Sequence, residues 1–351
     1  GSHANDVLAT QFVLDYADGI KRNATRPDDV MVDHQIVSGV VRQNAMYFNI
    51  QNVIVRLQGE SDHAVLMNSH YDSVPGSPGG SDDVVSALKL RNIFQINFHV
   101  KVMICVMLEI LRVLSQRPYR LRHSIIFLFN GAEEQDLQAA HGFITQHRWA
   151  NDSRALLNLE STGSGGREIL FRSGPKHDWL IHMYRQSAPR PFGHAVADEL
   201  FASGFIPSAT DFEIFRDYGN VPGIDFAYVE DGWRYHTRYD NVDYITHESV
   251  QYTGNNILPL TERVASSEEL INPPEGHWPI YFDYLGLFMI SYTDNVGVVL
   301  NYTVSVLVVV IIFIIQTKLK LENVWFVLFE TIIAFVTMVI GVVLSAVLCI
   351  A

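Results

Sequence analysis

Cysteine and positive charge are both scarce in this chain of 351 residues, and each scarcity argues against a class of protein. The two cysteines, Cys105 and Cys349, lie in apolar runs, which argues against a framework of disulfide bonds. Lysine and arginine together number 25 against 38 aspartates and glutamates, so the formal net charge is -13. Because a surface of this sign repels a phosphate backbone, we expect no nucleic-acid partner.

Charge is absent altogether from one long run near the C-terminus. Residues 296–315, "VGVVLNYTVSVLVVVIIFII", contain no Asp, Glu, Lys, Arg or His and have the length that a helix needs to cross a bilayer core of about 30 Å. A second apolar run, 324–351, contains a single charge at Glu330. A pair of buried core helices is the alternative interpretation, but the lack of polar faces favours two transmembrane helices, with the lipid bilayer as a partner.

The connector between these runs sets the expected orientation. Residues 316–323 contain Lys318 and Lys320, and basic connectors remain on the cytoplasmic side. Residues 1–295 would then lie in the lumen or outside the cell. The N-terminus has no apolar signal segment, so we expect a targeting segment upstream of this chain.

Residues 1–272 have the composition of a soluble domain, and 273–295 are interpreted as a juxtamembrane linker. Short runs rich in Val, Ile and Phe, such as "HAVLMNS", "SIIFLFN", "ALLNLE" and "GIDFAY", alternate with helical patterns such as "CVMLEILRVLSQ". This alternation predicts an α/β fold, in which helices cover both faces of a mostly parallel mixed sheet.

Potential metal ligands follow several of these strands. His70 ends the first run quoted above, Glu133 and Glu134 follow the second, Glu160 ends the third, and His236 lies in the loop after the fourth. Ligands bind at the carboxyl ends of strands in open α/β sheets, so we expect these side chains to meet. Imidazole and carboxylate without thiolate suit zinc, cobalt or manganese, of which zinc is the commonest catalytic choice.

The motifs around these residues resemble those of a known family. The blocks "GSHAN", "SHYDSV", "GGSDD", "FLFNGAEE", "NLESTG", "DFEIFRDYGNVPGIDFAY" and "YHTRYDN" appear in the order and spacing of the zinc aminopeptidase and glutamate carboxypeptidase family of co-catalytic metallopeptidases. The resemblance covers the whole chain and is greatest to a membrane-bound branch of the endoplasmic reticulum. It implies a multi-pass membrane protein with its peptidase domain in the lumen, acting on a peptide or small protein.

The resemblance implies a site for two zinc ions. His70 and Glu160 would bind the first ion, Glu134 and His236 would bind the second, and Asp82 would bridge the two. Paired metals can share a hydroxide and stabilise both the attacking and the leaving atom.

Three further residues acquire roles from the same resemblance. Glu133 would be the general base, and Asp72 would accept the second imidazole N–H of the histidine ligand. Tyr235 would donate a hydrogen bond to the oxyanion of the reaction. The implied activity is that of an exopeptidase, most simply an aminopeptidase.

Two departures from the family pattern keep other functions open. Glu160 occupies a position where many aminopeptidases have aspartate, and single-zinc glutaminyl cyclases also have glutamate there. Residues 87–104 are expected to form an insertion that bulges from the surface, with the helical pattern resuming near Cys105. If that insertion displaced Asp82, the chain would be an inactive, peptidase-like binding ectodomain. A glutaminyl cyclase with one zinc is the third possibility.

Overall fold

The computed structural model describes residues 4–42, 45–79, 85–86, 99–100, 102–174, 177–206, 208–319 and 324–350. The chain divides into two compact units, Gly1–Asp294 and Asn295–Ala351. The first unit contains the predicted site residues, and the second contains the apolar runs.

The secondary structure follows the local hydrophobic pattern, with β-branched and aromatic residues in the strands. The strands are β1 (Val30–Val41), β2 (Ala45–Leu57), β3 (Ser61–His70), β4 (Val85–Ser86), β5 (His99–Val100), β6 (His123–Asn130), β7 (Ser153–Ser161), β8 (Ile169–Ser173), β9 (Gly223–Tyr228), β10 (Pro279–Tyr284) and β11 (Phe288–Thr293). The α-helices are α1 (Thr10–Asn23), α2 (Val102–Ser115), α3 (Gln138–Gln146), α4 (Asp178–Ser187), α5 (Val196–Ala202), α6 (Asp211–Gly219), α7 (His247–Ala265), α8 (Asp294–Leu319) and α9 (Val324–Ile350).

One mixed sheet organises the first unit. Within the described ranges it has seven strands in the order β1-β2-β6-β3-β7-β9-β8. The central strands β6, β3, β7 and β9 are parallel, whereas β1, β2 and β8 join antiparallel. The mixed α/β fold is therefore confirmed, but the sheet is parallel only at its centre. A long hairpin, β1–β2, extends one edge, and β8 returns against β9 at the other.

Helices cover both faces of this sheet, as the sequence predicted. Val65 and Met67 of β3 belong to a buried cluster that also contains residues of α1, α2, α4 and α7. Their neighbours Ala64 and Leu66 belong to a second cluster, together with residues of α3 and α6. This division follows from the strand geometry, since successive side chains point to opposite faces. Full burial of a side chain such as Phe127 contributes roughly 1.5–3 kcal/mol to stability.

Most of the predicted insertion, 87–104, lies outside the described residues, so its bulging remains a prediction. The described flanks form a short antiparallel pair, β4 with β5, separate from the main sheet. Helix α2 begins at Val102, three positions before the expected Cys105, because Val102, Met103 and Ile104 are buried in the core.

The segment 273–295 contains regular structure. Strands β10 and β11 pair antiparallel as a hairpin, and β11 ends at Thr293, one residue before α8 begins. Tyr281 and Met289 of this hairpin are buried in the main core cluster, which attaches the hairpin to the first unit.

The second unit consists of the apolar helices. The described part of the chain contains one helix long and apolar enough to cross a membrane, Asp294–Ile315, and a shorter apolar helical stretch, Phe326–Gly341. The first predicted run therefore forms a helix of the length and apolarity that a span needs, and its insertion in a membrane stays a prediction. A second span, and with it a multi-pass topology, stays a prediction.

Candidate metal centre

His70 lies at the carboxyl end of β3, and its side chain is almost fully buried. Its Nδ1 lies 3.2 Å from Oδ1 of Asp72, two residues further along the chain. Because an ionised carboxylate can only accept, Asp72 selects the tautomer in which Nδ1 carries the proton. The Nε2 atom is then presented to the site.

Asp72 also organises the turn after β6. The backbone N–H of Glu133 donates to its Oδ1 and Oδ2 at 2.9 and 3.0 Å, and the N–H of Glu134 donates to Oδ2 at 3.1 Å. One carboxylate thus fixes an imidazole and two adjacent glutamates, which are neighbours because β3 and β6 are parallel and His70 is in register with Asn130.

Glu160 approaches the same imidazole from β7. Its Oε2 lies 3.2 Å from Nε2 of His70, and Oε2 of Glu133 lies 3.7 Å from that nitrogen. In the described part of the chain, ligand atoms of His70, Glu133 and Glu160 all lie within 4.8 Å of one another. These three residues form a buried cluster of metal-ligand type.

A second pair lies beside this cluster. Nε2 of His236 is 3.1 Å from Oε2 of Glu134, and the ring of Tyr235 stacks on the imidazole at a centroid distance of 3.7 Å. His236 has a φ of 60°, a left-handed conformation that is uncommon for residues other than glycine. Strained backbone of this kind is often found at functional sites, where the surroundings enforce it.

A buried network of polar side chains contacts Glu160 of this cluster, and the sequence analysis missed it. Asn158 donates to Oε1 of Glu160 at 3.0 Å and to Oδ1 of Asp225 at 2.8 Å. Asn68 donates to Oδ1 of Asn158 at 2.7 Å and to Oδ2 of Asp211 at 2.9 Å. These contacts hold Glu160 with its second oxygen directed towards His70. The sequence signal was present in retrospect as "MNS" and "LNLE", buried strands that contain asparagine.

Burial places unusual electrostatic demands on these carboxyls. Burial raises the pKa of Asp211 to about 7 and, against the opposing charge of Arg172, raises the pKa of Asp225 to about 7. Burial also raises the pKa of Glu133 well above its usual value, an effect that His70 opposes and Glu160 reinforces. The cluster therefore needs a nearby positive charge if its carboxyls are to ionise.

A divalent cation fits this donor set. With Nδ1 of His70 protonated, the lone pair on Nε2 faces carboxylate oxygens of Glu133 and Glu160, and this arrangement is repulsive unless a proton or a cation lies between them. Nitrogen and oxygen donors at buried strand ends match the ligands of catalytic zinc.

The structure therefore brings together seven of the predicted site residues and leaves one outside the description. His70, Asp72, Glu133 and Glu160 form the buried part. Glu134, Tyr235 and His236 form the adjoining pair and its stacked ring. Asp82, the predicted bridging ligand, lies outside the described residues, so its position is not part of this geometry.

A mixed sheet that places imidazole and carboxylate groups at the carboxyl ends of its parallel strands is the arrangement of an α/β metallohydrolase. Peptidase family M28 matches residues 52–97 and 102–261, and the chain belongs to this family. The predicted metallopeptidase family is thereby confirmed.

Curated relatives match over most of the chain. It is 43% identical to endoplasmic reticulum metallopeptidase 1 of Mus musculus over 319 residues, which are 88% of this chain and 34% of the mouse protein. It is 30% identical to a vacuolar membrane protease of Schizophyllum commune over 316 residues, covering 86% of this chain and 31% of that protein. The chain thus spans about a third of the length of these relatives.

Solved structures share the fold at low sequence identity. The LapA aminopeptidase of Legionella pneumophila is similar with a TM-score of 0.54 at 13% identity, covering 76% of this chain and 67% of LapA. A glutaminyl cyclase of Macrostomum lignano is similar with a TM-score of 0.51 at 14% identity, covering 73% of this chain and 82% of the cyclase. Both an aminopeptidase and a cyclase are thus built on this fold.

Proposed function

We propose that the chain is the peptidase part of a membrane-anchored, zinc-dependent exopeptidase of the aminopeptidase type. The observation that carries the proposal is the pairing of potential ligands near the carboxyl ends of the parallel strands. His70 with Glu160, and Glu134 with His236, form two imidazole–carboxylate pairs, and Glu133 lies next to the first.

Each pair would hold one zinc ion, with Asp82 as the bridging ligand. Zinc would supply Lewis-acid activation of water and of the scissile carbonyl. Asp72 would keep His70 in the tautomer that can bind metal, and Asn158 would keep Glu160 turned towards it.

Glu133 would act as the proton carrier of the reaction. Its backbone is fixed by Asp72, and burial raises its pKa, which suits a group that must accept a proton from water and pass it to a leaving amine. Tyr235, stacked on His236, would donate its hydroxyl hydrogen to the developing oxyanion.

The membrane setting is part of the same proposal. Helix Asp294–Ile315 would anchor the domain, and the similarity to a metallopeptidase of the endoplasmic reticulum and to a vacuolar membrane protease suggests an internal membrane, with residues 1–295 in the lumen. A peptide or small protein in that lumen would be the substrate.

The discriminating experiment offers the purified chain three kinds of peptide. We expect release of the first residue from peptides with a free amino terminus, loss of this activity with a chelator, and its recovery with zinc. Equal cleavage of N-acetylated peptides would exclude an aminopeptidase. Conversion of amino-terminal glutamine to pyroglutamate without peptide cleavage would identify a cyclase. Absence of both reactions in zinc-loaded protein would indicate a binding ectodomain.

A further inference from the structure

The β10–β11 hairpin carries its more apolar face on the outside. Tyr281 and Met289 point inward and are 1% and 2% exposed, and the inward face also carries Pro279, Asp283, Ser291 and Thr293. The pairing register places the remaining six side chains of the two strands on the outward face. They are Ile280, Phe282, Tyr284, Phe288, Ile290 and Tyr292. Antiparallel sheets normally place polar residues on the solvent side, so this pattern is inverted.

The turn of the hairpin continues the apolar surface. Leu285 and Leu287 are 79% and 64% exposed. Leu285 has a φ of 52° and Gly286 a φ of 62°. The loop between the strands has three residues, Leu285, Gly286 and Leu287. A non-glycine residue with positive φ is uncommon, so Leu285 is disfavoured by its own backbone as well as by its exposure to water.

The turn is held rigidly. Arg167 donates to the carbonyl oxygens of Gly286 at 3.0 Å and of Arg190 at 2.9 Å, and its guanidinium lies over the rings of Phe192 and Tyr252 at 4.6 and 4.7 Å. The exposed leucines are therefore presented on a fixed support.

The hairpin is continuous with the candidate membrane span. Strand β11 has six residues and ends at Thr293, and the apolar helix begins at Asp294. At about 3.3 Å per residue, the turn lies within roughly 20 Å of the start of the helix. Tyrosine and tryptophan are enriched where protein meets the headgroup region of a bilayer, and Trp278 precedes the hairpin directly.

We propose that the outward face and turn of this hairpin dock on the bilayer surface beside the anchor. This inference rests on the membrane anchoring proposed above. Arg167 belongs to the connection that follows Glu160, so docking would hold the candidate metal centre at a fixed height above the lipid. Substrates would then be limited to peptide ends that can reach that height.

The test uses the full chain in lipid nanodiscs of phosphatidylcholine and phosphatidylserine. Cys105→Ala and Cys349→Ala remove the native thiols, and one nitroxide is attached at Leu285→Cys. Phe48→Cys is the matched control, because Phe48 is 72% exposed and lies in β2 of the seven-stranded sheet, whereas the hairpin forms a separate two-stranded sheet. Val308→Cys reports on the anchor itself. Power saturation compares collisions with oxygen, which concentrates in lipid, against a water-soluble nickel chelate.

We expect the ratio of oxygen to nickel accessibility to be several-fold higher at Leu285→Cys than at Phe48→Cys, with Val308→Cys higher still. Equal ratios at the first two sites, with Val308→Cys in lipid, would overturn the docking and leave the anchoring intact. An aqueous Val308→Cys would overturn both. Protection of Leu285→Cys from both reagents would assign the face to a protein partner or a second copy instead. Leu287→Cys provides an independent reading if Leu285→Cys fails to fold.

Discussion

Removing the charge of Asp72 should weaken metal binding and stability together. In Asp72→Asn the amide group must occupy the place of one carboxylate oxygen. If the NH2 group replaces Oδ2, it faces the backbone N–H donors of Glu133 and Glu134. If it replaces Oδ1, it faces the Nδ1–H of His70 and the backbone N–H of Glu133. Either way at least one buried donor loses its acceptor.

The size of the effect follows from these contacts. A hydrogen bond to a charged group contributes about 1.5–3 kcal/mol, so we expect the free energy of unfolding of the metal-free protein to fall by about 2 kcal/mol. Loss of the carboxylate that orients a histidine ligand typically lowers metal affinity or activity about 10–100-fold. We expect zinc affinity and turnover of Asp72→Asn to fall by that factor.

Two assays check this prediction separately. Urea unfolding of the chelated protein measures stability, and competition with a fluorescent chelator measures zinc affinity. Asp18→Asn, an exposed site on α1, is the control and should match wild type in both. Zinc affinity of Asp72→Asn within about threefold of wild type would refute the orienting role of this carboxylate.

Three further perturbations test other parts of the structure. Glu133→Gln should retain zinc and lose turnover by about 10²–10⁴-fold, whereas Glu134→Gln should lose zinc as well as turnover. Loss of metal from Glu133→Gln would show that Glu133 is a ligand rather than the base. Arg172→Met should lower the free energy of unfolding, measured by urea titration, by about 3–5 kcal/mol, because it leaves the buried carboxyl of Asp225 without its cation. The double variant Arg172→Met, Asp225→Asn should recover part of this loss. Burial lowers the pKa of His123, so the stability that neutral His123 contributes is complete above the unfolded pKa of about 6.5 and declines as pH falls below that value. The urea midpoint of His123→Gln should therefore fall less between pH 7.5 and 5.5 than that of wild type. Equal falls would contradict the assignment.

The ligand residues could be predicted from the sequence because they follow buried strands. His70 ends β3, Glu160 lies one residue before the end of β7, and Glu133 follows β6. Parallel strands bring such positions to one edge whatever the exact register. The family motifs then supplied roles that the strand pattern alone left open.

The supporting network could not be predicted in this way. Asn68, Asn158 and Asp211 meet only because β3 and β7 align these asparagines in register and α6 begins next to them. Such contacts depend on register and helix docking, which the hydrophobic pattern does not specify.

The hydrophobic pattern of the sequence also failed to predict strand β1 and the β10–β11 hairpin. Strand β1 contains Asp33, His34 and Gln35, and three of its twelve residues, Val30, Val37 and Val41, are buried, so its sequence lacks a continuous apolar signal. The β10–β11 hairpin has apolar residues on both faces, which obscured the alternation typical of a strand and suggested a linker. Both elements lie where one side of the strand lacks the usual packing partner.

Zinc content of the purified chain tests the central claim most directly. Measured by mass spectrometry of metals after removal of loosely bound ions, wild type should hold two zinc ions per chain, and His70→Ala and His236→Ala should each hold fewer. One tightly bound zinc in wild type that is unaffected by either substitution, or none at all, would contradict the account.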